Sequence, residues 1–148
     1  MDRFFTRIAI AAVAVALLGA VGCASSSSSS SSSAGGTPSG GVSATEKDFS
    51  IELASSSAPS GSVSFNISNE GPSTHEFVII KTKDAPDALP TKDGKVDEDQ
   101  LTAVDEQEDI APSTTATLTT DLDAGSYVII CNIPGHYEAG MRTAFTVS

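Results

Sequence analysis

Residues 43–148 are predicted to form an all-β domain, an antiparallel Greek-key β-sandwich, on three observations. Apolar residues alternate at period two in Phe49-x-Ile51-x-Leu53, Val63-x-Phe65-x-Ile67, Ala116-x-Leu118 and Phe145-x-Val147, as half-buried strands do. The runs Phe77-Val78-Ile79-Ile80 and Tyr127-Val128-Ile129-Ile130 are continuously apolar and rich in β-branched residues, the pattern of central strands covered on both faces. Turn-forming clusters at 58–61, 69–72 and 123–126 separate the runs, and no long amphipathic helix interrupts them.

The chain begins with Met1–Arg7, which carries Arg3 and Arg7, and continues into an uninterrupted apolar run, Ile8–Val21. This is the pattern of a signal peptide over 1–22, so the protein is expected to be exported. The run is too short for a membrane span, because fourteen residues at ~1.5 Å each do not cross ~30 Å of hydrocarbon. It ends in Ala20-Val21-Gly22-Cys23, which resembles a bacterial lipobox. That resemblance implies cleavage before Cys23 and acylation of its sulfur, with the protein lipid-anchored to the outer face of the cell membrane or in the periplasm. The alternative is an ordinary cleavage site beside a chance cysteine. Residues 23–42, with nine consecutive serines at Ser25–Ser33 and a Gly-rich end, form a flexible tether with no apolar surface to bury. Its typical reach is roughly 20–25 Å and its stretched length about 60 Å.

The 148 residues include 8 basic and 19 acidic side chains, a net charge of −11. Setting aside Asp2, Arg3 and Arg7 leaves 18 acidic against 6 basic residues, a net of −12 on the remainder. Such a surface repels phosphates, so nucleic acid is excluded as a partner. The segment Thr82–Asp109 is acidic, contains Pro86, Pro90 and Gly94, and has only Leu101 and Val104 at a helical interval. It is expected to be a long solvated loop holding a short helix near 97–104. Asp97-Glu98-Asp99 lacks the ligand order and glycine of a calcium loop.

Beyond the leader the chain has one Cys, two His and one Met besides the amino-terminal Met and Cys23. Three of these four fall in Cys131-x4-His136-x4-Met141, and the fourth, His75, opens a buried strand. Alone, each residue is more often core filler or a solvated side chain. Their clustering at one strand-loop-strand junction points to metal. Two imidazoles, one thiolate and a weak axial thioether are the ligands of a mononuclear blue copper centre, where the compromise between Cu(II) and Cu(I) preferences keeps reorganisation small. Gly135 and Gly140 let the loop curl, and Pro134 restricts its first half.

The domain is identified as a member of the cupredoxins, the type 1 copper family that includes plastocyanin, azurin, auracyanin, rusticyanin and sulfocyanin. The resemblance spans 43–148 and rests on Asn69-Glu-Gly-Pro-Ser-Thr-His75-Glu-Phe and on Tyr127-Val-Ile-Ile-Cys131-Asn-Ile-Pro-Gly-His136-Tyr-Glu-Ala-Gly-Met141. It implies one copper ion held by His75 and His136 through imidazole, Cys131 through thiolate and Met141 axially. The ligand loop is longer than in plastocyanin or azurin and is similar to that of auracyanin, rusticyanin and sulfocyanin. Glu76 stands where plastocyanin and azurin place an Asn that ties the ligand loops together. An ionised Glu76 near the metal favours Cu(II), whereas an outward one adds to an acidic rim. Asn132, next to the thiolate, is a second candidate to support the ligands. The resemblance further implies an exposed electron-transfer edge at His136, with Pro134 and Tyr137 as candidate members.

The expected function is that of an electron carrier, not an enzyme, cycling Cu(II)/Cu(I) between a redox donor and an acceptor such as a cytochrome, oxidase or reductase, held at the membrane by its lipid anchor. The alternative is an envelope copper-binding or copper-delivery module, but that class shows surplus Met, His or paired Cys, which this domain lacks. Multicopper enzymes need additional His, and a binuclear copper loop needs two cysteines. A structural zinc site survives only with a different fourth ligand, such as Glu138 or water.

Overall fold

The computed structural model describes residues 41–148. The expected signal peptide, Cys23 and all but the last two residues of the expected tether lie outside the described residues. The chain forms β1 (Val42–Lys47), β2 (Ser50–Leu53), β3 (Ser57–Ala58), β4 (Gly61–Asn69), β5 (His75–Lys81), β6 (Thr91–Lys92) and β7 (Lys95–Val96), then a single 3-10 turn at Glu98–Gln100. β8 (Thr102–Ile110), β9 (Thr115–Leu122), β10 (Gly125–Ile130), a one-turn helix α1 (His136–Ala139) and β11 (Arg142–Val147) complete it. Among the described residues no helix is long and apolar enough to cross a membrane.

Two sheets make the sandwich, one ordered β2-β1-β4-β9 and the other β3-β11-β10-β5-β8. The expected all-β sandwich is present, with one difference. Most pairs are antiparallel, but β1 runs parallel to β4 and β3 parallel to β11. The amino-terminal strand therefore enters beside β4 without a hairpin, so no two-residue turn was there to be read. Between the sheets the alternating residues interdigitate: Phe65 of β4 lies 5.2 Å, ring centre to ring centre, from both Phe77 of β5 and Phe145 of β11.

The continuous apolar runs of β5 and β10 have the two-sided burial their composition demands. Phe77, Ile79, Tyr127 and Ile129 join the main core, while Val78, Ile80, Val128 and Ile130 form a second cluster on the opposite face. Leu89 and Val96 cover that second face and are themselves buried. Burying each is worth about 1.5–3 kcal/mol. The solvated loop expected at 82–109 is thus corrected in two ways. Its first part is a cover with an apolar underside and an acidic outer side. Its last part is β8, an edge strand paired with β5, and the helix expected near 97–104 shrinks to the 3-10 turn. Alternation in β8 is masked because the strand is at an edge and only Ile110 in it is buried.

Glu46 departs from the apolar pattern inside the sandwich. It sits on β1 opposite Ile51 and Asn69, is fully buried, and both carboxylate oxygens lack hydrogen-bond partners. Burial pushes its pKa from 4.5 to about 8. The folded chain then binds a proton more tightly than the unfolded chain, so this residue lowers stability as pH rises from about 4.5 to about 8 and has no further pH effect outside that window. Glu46→Gln removes the titration. Urea unfolding of the copper-free protein at pH 4.5 and 8.5 is expected to show the variant gaining about 3–5 kcal/mol on the native chain between the two conditions. A difference that stays flat with pH refutes this assignment.

Candidate metal centre

The donors come from two neighbouring strand ends. β5 and β10 pair antiparallel with Val78 opposite Ile130, so the start of β5 and the end of β10 meet at one edge of the sandwich. His75 opens β5 and Cys131 follows β10, which brings together residues 56 positions apart. The connection from Cys131 to β11 is a tight hydrogen-bonded loop. His136 N–H donates to Ile133 O (3.0 Å), Met141 N–H to His136 O (3.0 Å), and Cys131 N–H to Met141 O (3.1 Å). Gly135, at φ 85°, turns the chain into α1 in a conformation that a side chain disfavours. This is the curl expected of that glycine.

His75 Nδ1 and His136 Nδ1 lie 3.3 Å apart, and Cys131 Sγ is 3.4 Å from His136 Nδ1 and 3.9 Å from His75 Nδ1. A trigonal metal with bonds of about 2.0–2.3 Å to nitrogen and sulfur holds its donors roughly 3.5–3.8 Å apart. The three donors therefore fit one ion. Met141 is fully buried and closes the same loop through its two backbone hydrogen bonds. Soft thiolate, two imidazoles and a nearby thioether are the chemistry of type 1 copper.

Burial holds the pKa of His75 below its usual value, which keeps the imidazole neutral and able to ligate. Burial pushes the Cys131 thiol up to about 11, opposed by the backbone N–H groups of Ile133 and Glu76, so metal capture at neutral pH releases the thiol proton. The Glu76 N–H donates to Cys131 Sγ at 3.3 Å. The β5–β8 ladder skips Glu76 at a bulge. The main chain of Glu76, not its carboxylate, thus joins the two ligand segments; burial raises the pKa of that carboxyl.

Other expected site residues take different places. Pro134 is exposed and His136 and Ile133 are half-buried. Tyr137 is corrected: only 4% exposed, it turns under the cover, where its hydroxyl accepts the Leu89 N–H (3.0 Å) and donates to Pro86 O (2.8 Å). Its ring belongs to the second cluster, so burial and two hydrogen bonds decide its position. Asn132 is likewise a clamp on the cover. Its Oδ1 accepts the Val96 N–H at 2.7 Å and its Nδ2 donates to Val96 O and to Glu98, with no bond to a ligand atom.

Four residues at the site had no role assigned from sequence. Phe49, 47% exposed, packs edge-on against His136 at 5.2 Å. Asp48 lies beside His75. Asn69 ties the loop before His75, bonding Ser73 O, Ile110 O and the Gly71 N–H at 2.8–2.9 Å. Ser73 donates its hydroxyl to Asp48. Only Asn69 had a signal, its place in a turn six residues before the ligand.

A family model described as the sulfocyanin (SoxE) domain matches residues 57–148. No curated protein sequence matches the chain. Among solved structures, the fold is shared with dithionite-reduced auracyanin from the photosynthetic bacterium Roseiflexus castenholzii, at 21% identity over 72% of this chain and 94% of that one, TM-score 0.54. It is shared too with rusticyanin from Thiobacillus ferrooxidans, at 22% identity over 76% and 79%, TM-score 0.57. Auracyanin B matches at 23% identity over 76% and 91%, TM-score 0.54.

Tyr137→Phe deletes the hydroxyl and leaves the buried Leu89 N–H unpaired. It is expected to lower the unfolding free energy by about 1–3 kcal/mol in urea titrations, with the donor cluster retained.

Proposed function

The chain belongs to the sulfocyanin (SoxE) family of cupredoxins, and from that premise we propose that it is a type 1 copper electron carrier held at the membrane by a lipid on Cys23. The observation that carries the reading is the convergence of His75 Nδ1, His136 Nδ1 and Cys131 Sγ within 4.8 Å of one another. These three residues, with Met141 as the fourth, would hold one copper, which supplies a one-electron Cu(II)/Cu(I) couple when bound. The chain does the rest. Burial excludes water from Cys131, His75 and Met141, the Glu76 N–H stabilises negative charge on the sulfur, and the bonded loop resists rearrangement when charge changes.

Electrons enter and leave at His136, the more exposed of the two imidazoles. Phe49 packs edge-on against it, and Ile133 and Pro134 of the same loop add apolar surface suited to close approach of another protein. Delivery of copper to a partner is disfavoured because every His and Cys among the described residues is already in the donor set. The acidic surface steers basic redox partners.

Copper loading followed by visible and EPR spectra, before and after one-electron reduction, tests the reading. Expected are intense thiolate-to-copper absorption that bleaches and returns, and the narrow hyperfine splitting of a type 1 site. Cys131→Ser abolishes both. A pale site, or copper held only as Cu(I) and readily released, overturns electron transfer. Stopped-flow reduction by a basic cytochrome is expected to slow several-fold as added salt shortens the Debye length from about 30 Å to about 8 Å.

A further inference from the structure

The first histidine is held from behind by a carboxylate from outside both ligand loops. Asp48, in the turn between β1 and β2, places Oδ1 3.1 Å from His75 Nε2, the nitrogen left over when Nδ1 joins the donor cluster. The contact lies off the in-line hydrogen-bond direction, yet both atoms are shielded from solvent and neither has another partner. Each is therefore the polar group the other must answer. The second Asp48 oxygen accepts the Ser73 hydroxyl at 2.6 Å, which holds the carboxylate in place.

Gly71 completes the cradle. A Cβ there would stand 2.6 Å from Asp48 Oδ1 and 3.0 Å from His75 Nε2, so the close approach of turn and imidazole requires a residue with no side chain. Two segments, the β1–β2 turn and the loop that leads into His75, thus converge on one ring nitrogen.

A ligating imidazole presents one nitrogen to the metal and must place its other N–H, and a carboxylate in that position fixes tautomer and ring orientation while adding negative charge. We propose that Asp48 is the positioning residue of the centre: its carboxylate holds His75 as the Nε2–H tautomer, with Nδ1 free for the metal, and biases the site toward Cu(II). The redox half of this proposal rests on the copper reading above; the tautomer half does not.

Two substitutions separate the roles. Asp48→Asn keeps an acceptor beside Nε2 and removes the charge. Asp48→Ala removes both. In the copper-free protein, long-range 1H–15N correlation is expected to show His75 as Nε2–H in the wild type and in Asp48→Asn, and as a mixture of tautomers in Asp48→Ala. In the copper-loaded protein, Asp48→Asn is expected to lower the ratio of Cu(II) to Cu(I) affinity about tenfold, a rise in potential of about 59 mV, with the type 1 spectrum retained.

Gly71→Ala, which crowds the carboxylate without altering charge, shifts the potential in the same direction and carries the redox test if an Asp48 variant does not fold. An unchanged potential in Asp48→Asn, or an unchanged tautomer in Asp48→Ala, overturns the corresponding half. A wild-type protein that forms no blue site overturns the copper reading, and the copper-free spectra still decide the positioning role.

Discussion

The antiparallel register of β5 against β10 is the constraint on which the centre depends. With Val78 opposite Ile130, the first residue of one strand and the residue just beyond the other lie together at the sandwich edge. A slip of one residue would invert which side chains face the core and carry His75 and Cys131 apart. The register is held by burial on both faces, because Phe77, Ile79, Tyr127 and Ile129 fill one core while Val78, Ile80, Val128 and Ile130 fill the other. Each strand has no solvent face to which a slipped side chain could turn.

The acidic excursion between β5 and β8 follows from the same constraint. An apolar outer face on the central strands needs a cover, and Leu89 and Val96 supply it. Asn132 and Tyr137 then secure the cover with hydrogen bonds from within the ligand loop itself. The residues adjoining two metal ligands thereby tie the loop to the second core. Cover and centre form one mechanical unit, which is consistent with a site that must change little as its charge changes.

Support reaches the centre from the opposite side as well. The β1–β2 turn presents Asp48 to one histidine and Phe49 to the other, a carboxylate at the buried ring and an aromatic edge at the exposed one. The nearby buried Glu46 lacks partners, so β1 carries an energetic cost that falls on the protein as pH rises. Packing elsewhere in the sandwich has to offset it.

The central strands and the donor set were legible in the sequence because both are local. Period-two alternation reports one-sided burial, continuous apolar runs report two-sided burial, and Cys131, His136 and Met141 lie within one loop. The tertiary structure decided what proximity alone creates. Asp48 is 27 positions from His75, and a turn aspartate carries no mark of the imidazole it will meet. Tyr137 read as an edge residue because its neighbour is a ligand, yet the cover that draws it inward is more than thirty residues away. The parallel seating of β1 and the edge pairing of β8 are likewise matters of non-local hydrogen bonding. Sequence patterning determined the burial of the central strands and the chemistry of the donors; folding decided which distant residues touch and the burial of Glu46, Leu89, Val96 and Tyr137, because contacts between distant segments depend on register and packing that no local window contains.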